Sequence, residues 1–440
     1  MAQSAGRKTR RSTPRARTAA LLLACGLLPQ LAIAVDDPNA TGPWNVGHTE
    51  FGIVDAIRAN RTLPLDVWYP VDATDWTGTF AVYVLLAGLG PISDLARTDS
   101  IVSNSGPWPL IVFSHGFGGV NVQSTHLCEH LASHGFIVVA PEHTGNTQAD
   151  MSSPDPAADR YPDVAFVIDS MAQKNTTPAD PFFGRVDTTD VGVAGHSYGG
   201  LTATMMASGF GTDPPDTRVK AIMPVAASNG ILSDAQLTSV TIPTLLMVGT
   251  LDGLQSETIR SFNLMSSAPN LFRVDVIGAN HTHFANVCDI GDWLISIGIP
   301  KENWGSVGAG ALIPIYEATC EPPAFSIDEA TRIQNLYAAA LFRRHLLGET
   351  GYDTYLTESY ALANEPDIDF YLPEPSQFLQ LVSGVGMVSL LAFARRRSRP
   401  SKGASSGNEW RRWPKRVDRK KKLRFQQCPI TDIPLSNSKE

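Results

Sequence analysis

The chain is poor in the residues that would suggest metal or redox chemistry. It has 5 cysteines in 440 residues, and no Cys/His spacing of the kind that closes a zinc site. Basic residues are also scarce where a fold must form. Of 35 basic and 43 acidic residues, 6 basic and no acidic ones lie in residues 1–34, and 15 basic and 4 acidic ones lie in residues 395–440. The middle therefore keeps 14 basic against 39 acidic residues, a net charge of −25. A body this acidic argues against nucleic acid or an anionic lipid as its substrate.

The two ends are unlike that body. Residues 1–34 begin with Arg7, Lys8, Arg10, Arg11, Arg15 and Arg17, continue as an apolar run from Ala19 and end Ala32-Ile33-Ala34. This is the layout of a secretory signal peptide with an A-x-A cleavage site. A retained anchor is the alternative, disfavoured because Pro29 and Gln30 interrupt a short run. Arg10-Arg11 weakly suggests a twin-arginine signal. At the other end, Pro373-Glu374-Pro375 precedes an uncharged, mostly apolar run from Phe378 to Ala394 and then Arg395-Arg396-Arg397. The run is about long enough to cross a bilayer. This order resembles the PEP-CTERM sorting signal, which implies export followed by cutting near Pro373 to Pro375 by an exosortase-type enzyme. A plain C-terminal membrane anchor is the alternative. Residues 398–440, basic and polar with Lys420-Lys421-Lys422, are longer than such signals usually carry and read either as a disordered cytoplasmic tail or as a spurious extension of the reading frame. An exported body meets an oxidising compartment. Cys128 falls in a helix-forming stretch and reads as a small core residue, whereas Cys288 and Cys320 fall in loop-rich sequence and are expected to pair.

Between the ends, residues 35–370 read as one α/β domain, because short β-branched runs alternate with helix-length amphipathic ones. The central stretch is Asp190 to Gly200, an apolar run, Gly195-x-Ser197-x-Gly199, then a helix-forming run. A serine on a tight strand-to-helix turn stands clear of the backbone, and glycines are needed where side chains would strike the neighbouring strand and helix. The opening segments Gly42 to Gly47 and Arg61 to Pro70 read as two antiparallel edge strands. The apolar patch Ala81 to Leu89, in the Gly-, Ser- and Pro-rich segment that follows, reads as packing or a pocket wall. Pro109 to Ser114 is a buried-strand run ending in His115-Gly116-Phe117-Gly118-Gly119. That turn is placed to offer one oxyanion-hole amide, that of Phe117, beside the amide of Tyr198 after the serine, each contributing roughly 3 kcal/mol. His115 reads as shaping the turn. His143 reads as a cleft-lining or solvated loop residue, and a helix is expected from about Pro162 to Gln173.

A serine hydroxyl needs a base within hydrogen-bond reach, and that base needs a partner to fix its tautomer. After Thr241 to Gly249, a buried strand, comes Asp252. After Leu271 to Ile277, another, comes Gly278-Ala279-Asn280-His281-Thr282-His283. Ser197, Asp252 and His281 thus each follow a separate strand, in the order nucleophile, acid, base. His281 is preferred to His283 because it sits nearer the strand end. Asp252 is preferred because the segment after the preceding strand, Ala226 to Asn229, has no carboxylate.

The Gly-Pro-Trp opening, Leu-Pro-Leu-Asp-Val-Trp-Tyr-Pro, Phe-Ser-His-Gly-Phe-Gly-Gly, Gly-His-Ser-Tyr-Gly-Gly and Gly-Ala-Asn-His together resemble the platelet-activating-factor acetylhydrolase-like and dienelactone-hydrolase-like branch of the α/β-hydrolases. The resemblance covers about residues 42–360. It implies the α/β-hydrolase fold, a mostly parallel central sheet with helices on both faces, and hydrolysis of a small or lipid-like carboxylic ester with no metal or organic cofactor. An amidase or acyltransferase using the same residues, and a non-catalytic surface-displayed binding protein, are the competing readings. Two departures separate this chain from its resemblance: the acid follows the later strand, and the nucleophile is Ser197 where dienelactone hydrolases use cysteine.

Overall fold

The computed structural model describes residues 35–373, apart from Ala87 and Asp99. The expected signal peptide, the sorting signal beyond Pro373 with its apolar run, and the basic tail lie outside the described residues. Among the described residues no helix is long and apolar enough to cross a membrane.

The chain opens with β1 (Asn45–Asp55), β2 (Arg61–Val71), β3 (Phe80–Val82), β4 (Ile92–Thr98) and β5 (Trp108–Ser114). Then come α1 (Thr125–Ser133), β6 (Ile137–Pro141), α2 (Pro156–Thr176), β7 (Val186–His196), α3 (Tyr198–Ser208) and β8 (Val219–Val225). The second half holds α4 (Asp234–Thr238), β9 (Thr244–Gly249), α5 (Gln255–Leu264) and β10 (Leu271–Val276). Last are α6 (Val287–Ser296), α7 (Leu312–Cys320), α8 (Ile327–Leu346), α9 (Glu358–Asn364) and β11 (Ile368–Tyr371). The described strands form one sheet in the order β11-β10-β9-β8-β7-β5-β6-β2-β1-β4-β3. The run from β6 to β10 is parallel throughout, and β2 and β11 flank it antiparallel.

Parallel strands covered on both faces must be apolar on both. Along β5, Leu110 and Val112 join one core cluster while Ile111 and Phe113 join the other, the two-residue alternation of a pleated strand. α1 and α8 cover the face of Ile111 and Phe113, and α2, α3 and α5 that of Leu110 and Val112. The expected α/β-hydrolase architecture is therefore the observed one.

Three expectations need correction. β1 and β2 do form an antiparallel hairpin, but not at the edge, because β4 and β3 pair outside β1. Those two strands are cut from the Gly-, Ser- and Pro-rich segment, where short length and irregular register mask them. α2 starts at Pro156 rather than near Pro162, because Asp155 caps it by accepting from Ala158 N–H and Pro156 takes the first turn, a position where its missing N–H costs nothing. The cysteines lie on short helices rather than loops, and Cys288 and Cys320 are disulfide-bonded. Cys128 is buried in the core.

Candidate active site

Ser197 sits between the last residue of β7 and the first of α3, with φ 57° and ψ −115°. A positive φ is strained for a residue with a side chain, and the neighbourhood shows what holds it. Its N–H donates to Val225 O at 2.8 Å, and its carbonyl accepts from Ser228 N–H at 3.2 Å, so the turn is pinned to the end of β8. A Cβ on Gly199 would lie 1.7 Å from Ser114 O, and one on Gly195 would lie 2.3 Å from Gly199 O. Only glycine fits at either place.

β9 and β10 bring the other two residues together. A Cβ on Gly249 would meet Ala279 O at 2.2 Å, and Leu251 N–H donates to the same oxygen at 3.0 Å. The loops that follow the two strands are therefore in contact. Across them Asp252 Oδ2 lies 2.8 Å from His281 Nδ1. The carboxylate is buried, with its side chain 1% exposed, whereas the His281 side chain is 36% exposed. Asp252 Oδ1 accepts from Leu254 N–H at 2.8 Å, which fixes the carboxylate's orientation. With Nδ1–H donated to Asp252, Nε2 of His281 is left as the acceptor. His283 is buried and bonds Phe325 O and the Asn280 backbone N–H, so of the two histidines only His281 meets the acid.

Ser197 and His281 line one cavity of about 770 Å³, together with the turn from Gly116 to Val120. No hydrogen bond joins the Ser197 and His281 side chains, a common state for such pairs before substrate is bound. The N–H groups of Phe117 and Tyr198 have no acceptor among the described residues. Their rings meet edge to face, centroids 5.4 Å apart.

Three residues that the sequence did not single out hold this arrangement. Gln123 Oε1 accepts from Gly116 N–H at 2.9 Å, and its amide nitrogen lies 2.8 Å from His196 Nδ1. His196 Nε2 lies 2.8 Å from the carbonyl oxygen of His281. These partners assign Nε2–H as donor and Nδ1 as acceptor. Burial, followed by the nearness of His281, lowers the His196 pKa to about 3, so the ring stays neutral. Arg160, fully buried, donates to His115 O at 2.5 Å, Gly116 O at 2.9 Å and Asn146 Oδ1 at 2.7 Å. It holds the carbonyls of the Gly-rich turn on one side. Burial lowers its own pKa to about 9.

His115 shapes that turn as expected: its Nδ1 lies 2.7 Å from Gly116 O and its Nε2 accepts from His143 N–H. His143 departs from its expectation. It is fully buried and lies between Ser114 Oγ at 2.9 Å and Asp163 Oδ2 at 2.9 Å, because Asp163 enters the interior with Arg61 and Arg58 beside it. Among the described residues one trio, His48, Glu50 and Asp66, has ligand atoms close enough for a metal ion. Its two buried members already bond each other at 2.7 Å, and none of the three lines the cavity.

Residues 101–296 match the family model described as PETase: PET hydrolase-like. Among curated proteins, chlorophyllase-1, chloroplastic, of Citrus unshiu is 28% identical over 186 residues, covering 42% of this chain and 51% of that protein. Cutinase est2 of Thermobifida alba is 28% identical over 174 residues, covering 39% of this chain and 52% of that protein. Platelet-activating factor acetylhydrolase of Cavia porcellus is 29% identical over 132 residues, covering 26% of this chain and 30% of that protein. The chain thus spans about half the length of the first two relatives and less of the third. A solved structure, the ferulic acid esterase from Streptomyces cinnamoneus, superposes with a TM-score of 0.53 at 23% identity over 76% of this chain and 97% of that one. The chain has the α/β-hydrolase fold, and its central part is similar to the PET hydrolase-like family of that fold.

Proposed function

We propose that the protein is a serine hydrolase that cleaves carboxylic esters through an acyl-enzyme. The observation that carries this reading is the bond from Asp252 to His281, a histidine that lines the same cavity as Ser197. It is supported by relatives named as a chlorophyllase, a cutinase and an acetylhydrolase. His281 Nε2 takes the Ser197 proton as Oγ bonds to the ester carbonyl carbon. The carbonyl oxygen becomes an oxyanion held by the Phe117 and Tyr198 N–H groups. As the carbonyl re-forms, the C–O bond to the alcohol breaks, and the His281 proton passes to the leaving oxygen. Water, deprotonated by His281, then attacks the acyl carbon, and Ser197 leaves with its proton restored. Asp252 keeps Nδ1 protonated and steadies the imidazolium between steps.

We read the protein as exported. The Cys288–Cys320 disulfide supports an oxidising compartment; the segments expected to direct export and sorting lie outside the described residues.

The test is hydrolysis of p-nitrophenyl acetate by the purified protein, with mass-spectrometric mapping of a fluorophosphonate adduct. Turnover with the adduct on Ser197 is expected. A protein that neither turns over esters nor is labelled at Ser197 is not a serine esterase.

A further inference from the structure

Part of the wall of the Ser197 cavity is built by a piece of chain with a core of its own. α6 and α7, with the 3-10 segment Lys301–Val307 between them, run from residue 287 to residue 320. Leu294, Trp304 and Tyr316 are buried together there, in a cluster separate from the two that flank the sheet. The two helices touch closely, since a Cβ on Gly291 would meet the Tyr316 ring at 2.3 Å. Three buried side chains are a small core for so many residues, and small units of this kind need a covalent staple. The Cys288–Cys320 disulfide supplies it, tying the first turn of α6 to the last residue of α7. The match to the PET hydrolase-like family ends at residue 296, so α7 is outside the part of the chain that resembles it.

This unit presents Ile290, Trp293, Leu312 and Ile315 to the cavity, while Leu85 and Phe117 line it from other segments. Among the described lining residues there is no lysine or arginine, and Glu142 is the one carboxylate. A volume of about 770 Å³ is within the range of pockets that enclose a drug-sized ligand, and an acetyl group leaves most of it to water. We propose that residues 287–320 form a disulfide-closed cap that makes this site selective for uncharged esters carrying one large apolar group. The proposal rests on the esterase reading above and adds the substrate class to it. Apolar contact with the cap is made by the non-reacting part of the ester, and such remote contact raises kcat/KM. Each methylene fully buried is worth about fourfold.

The experiment compares kcat/KM for p-nitrophenyl octanoate, p-nitrophenyl acetate and 1-naphthyl acetate in the full chain and in two variants. The native protein is expected to favour octanoate or the naphthyl ester over p-nitrophenyl acetate by more than about tenfold, and the favoured one tells whether the acyl or the alcohol side meets the cap. In the Cys288→Ser/Cys320→Ser double variant, whose altered side chains do not line the cavity, this preference is expected to fall toward unity with p-nitrophenyl acetate hydrolysis retained. Leu312→Asn is expected to lower the same preference about tenfold with the disulfide intact, and it decides the matter if the cysteine variant does not fold. A native protein that handles the three esters alike, or a preference unchanged in both variants, overturns the cap. Absence of turnover and of Ser197 labelling in the native protein overturns the esterase reading instead.

Discussion

His196 places its Nε2 2.8 Å from the carbonyl oxygen of His281, so the residue just before the expected nucleophile holds the backbone of the expected base. Gln123 continues the connection to Gly116 N–H. One short chain of hydrogen bonds therefore spans the Gly-rich turn, the serine turn and the histidine loop. Gln123→Leu keeps the volume and removes both bonds. It is expected to lower kcat for p-nitrophenyl acetate by about tenfold or more with little change in KM, since misplacing groups that act in the transition state costs turnover. Gln123→Glu puts a carboxylate beside Nδ1 of His196 and favours the protonated ring. A pH–rate profile moved in Gln123→Glu and unmoved in Gln123→Leu is the expected signature; identical profiles and native kcat in both would show the relay to be idle.

The Asp252–His281 contact carries its own expectation. Asp252→Asn preserves size but no longer favours the Nδ1–H tautomer. A loss of kcat of about a thousandfold or more is expected, with the melting temperature little changed. An Asp252→Asn enzyme of near-native rate would move the acid to another residue.

Gly199 and Gly253 make a matched pair for the serine turn. Gly199→Ala sets a methyl against Ser114 O and is expected to cost more than about 3 kcal/mol, or to prevent folding. At Gly253 an added Cβ meets nothing within 4 Å, and Gly253→Ala is expected to stay within about 0.5 kcal/mol of the native protein. Urea denaturation of both variants checks the contrast, and equal stability would refute the tight-turn account.

Acid is expected to unfold the protein early. Burial lowers the pKa of His196 and His130 to about 3, and of His134 and His143 to about 4. Folded values below the unfolded one of about 6.5 mean that the unfolded chain binds protons first. The stability these four rings contribute is complete above about pH 6.5 and is lost as pH falls toward 4. Each contributes a slope on the order of 1.4 kcal/mol per pH unit in that window. Melting temperatures should be level between pH 7.5 and about 6.5 and drop by several degrees per unit from there to pH 4.5, and a flat profile throughout would contradict the neutral buried histidines.

Much of this was legible before the structure, for a physical reason. Strands buried on both faces must be apolar runs, so β5, β7, β9 and β10 announce themselves, and sites collect where such strands end. Ser197, Asp252 and His281, the residues proposed for catalysis, each follow such a strand, and the Gly-x-Ser-x-Gly spacing marks the first of them. Arg160 and Gln123 are not legible in this way, because their roles depend on which backbone carbonyl or amide is folded against them from another segment. The burial of His143 is not legible either, because it depends on Asp163, a residue of α2. Residues 287–320 look like loop in sequence because helices as short as α6 and α7 are marginal on local propensity and are settled by Trp304, Tyr316 and the disulfide.

The order of the strands has a last consequence. A sheet of this width offers two open rims, and unpaired rims are where separate chains zip together. Here the rims of the described sheet are β3, three residues with an irregular register, and β11, four residues. The longest strands, β1, β2 and β7, are all interior. The described sheet ends in short pieces, so its rims offer few consecutive backbone groups for edge-to-edge pairing with another strand.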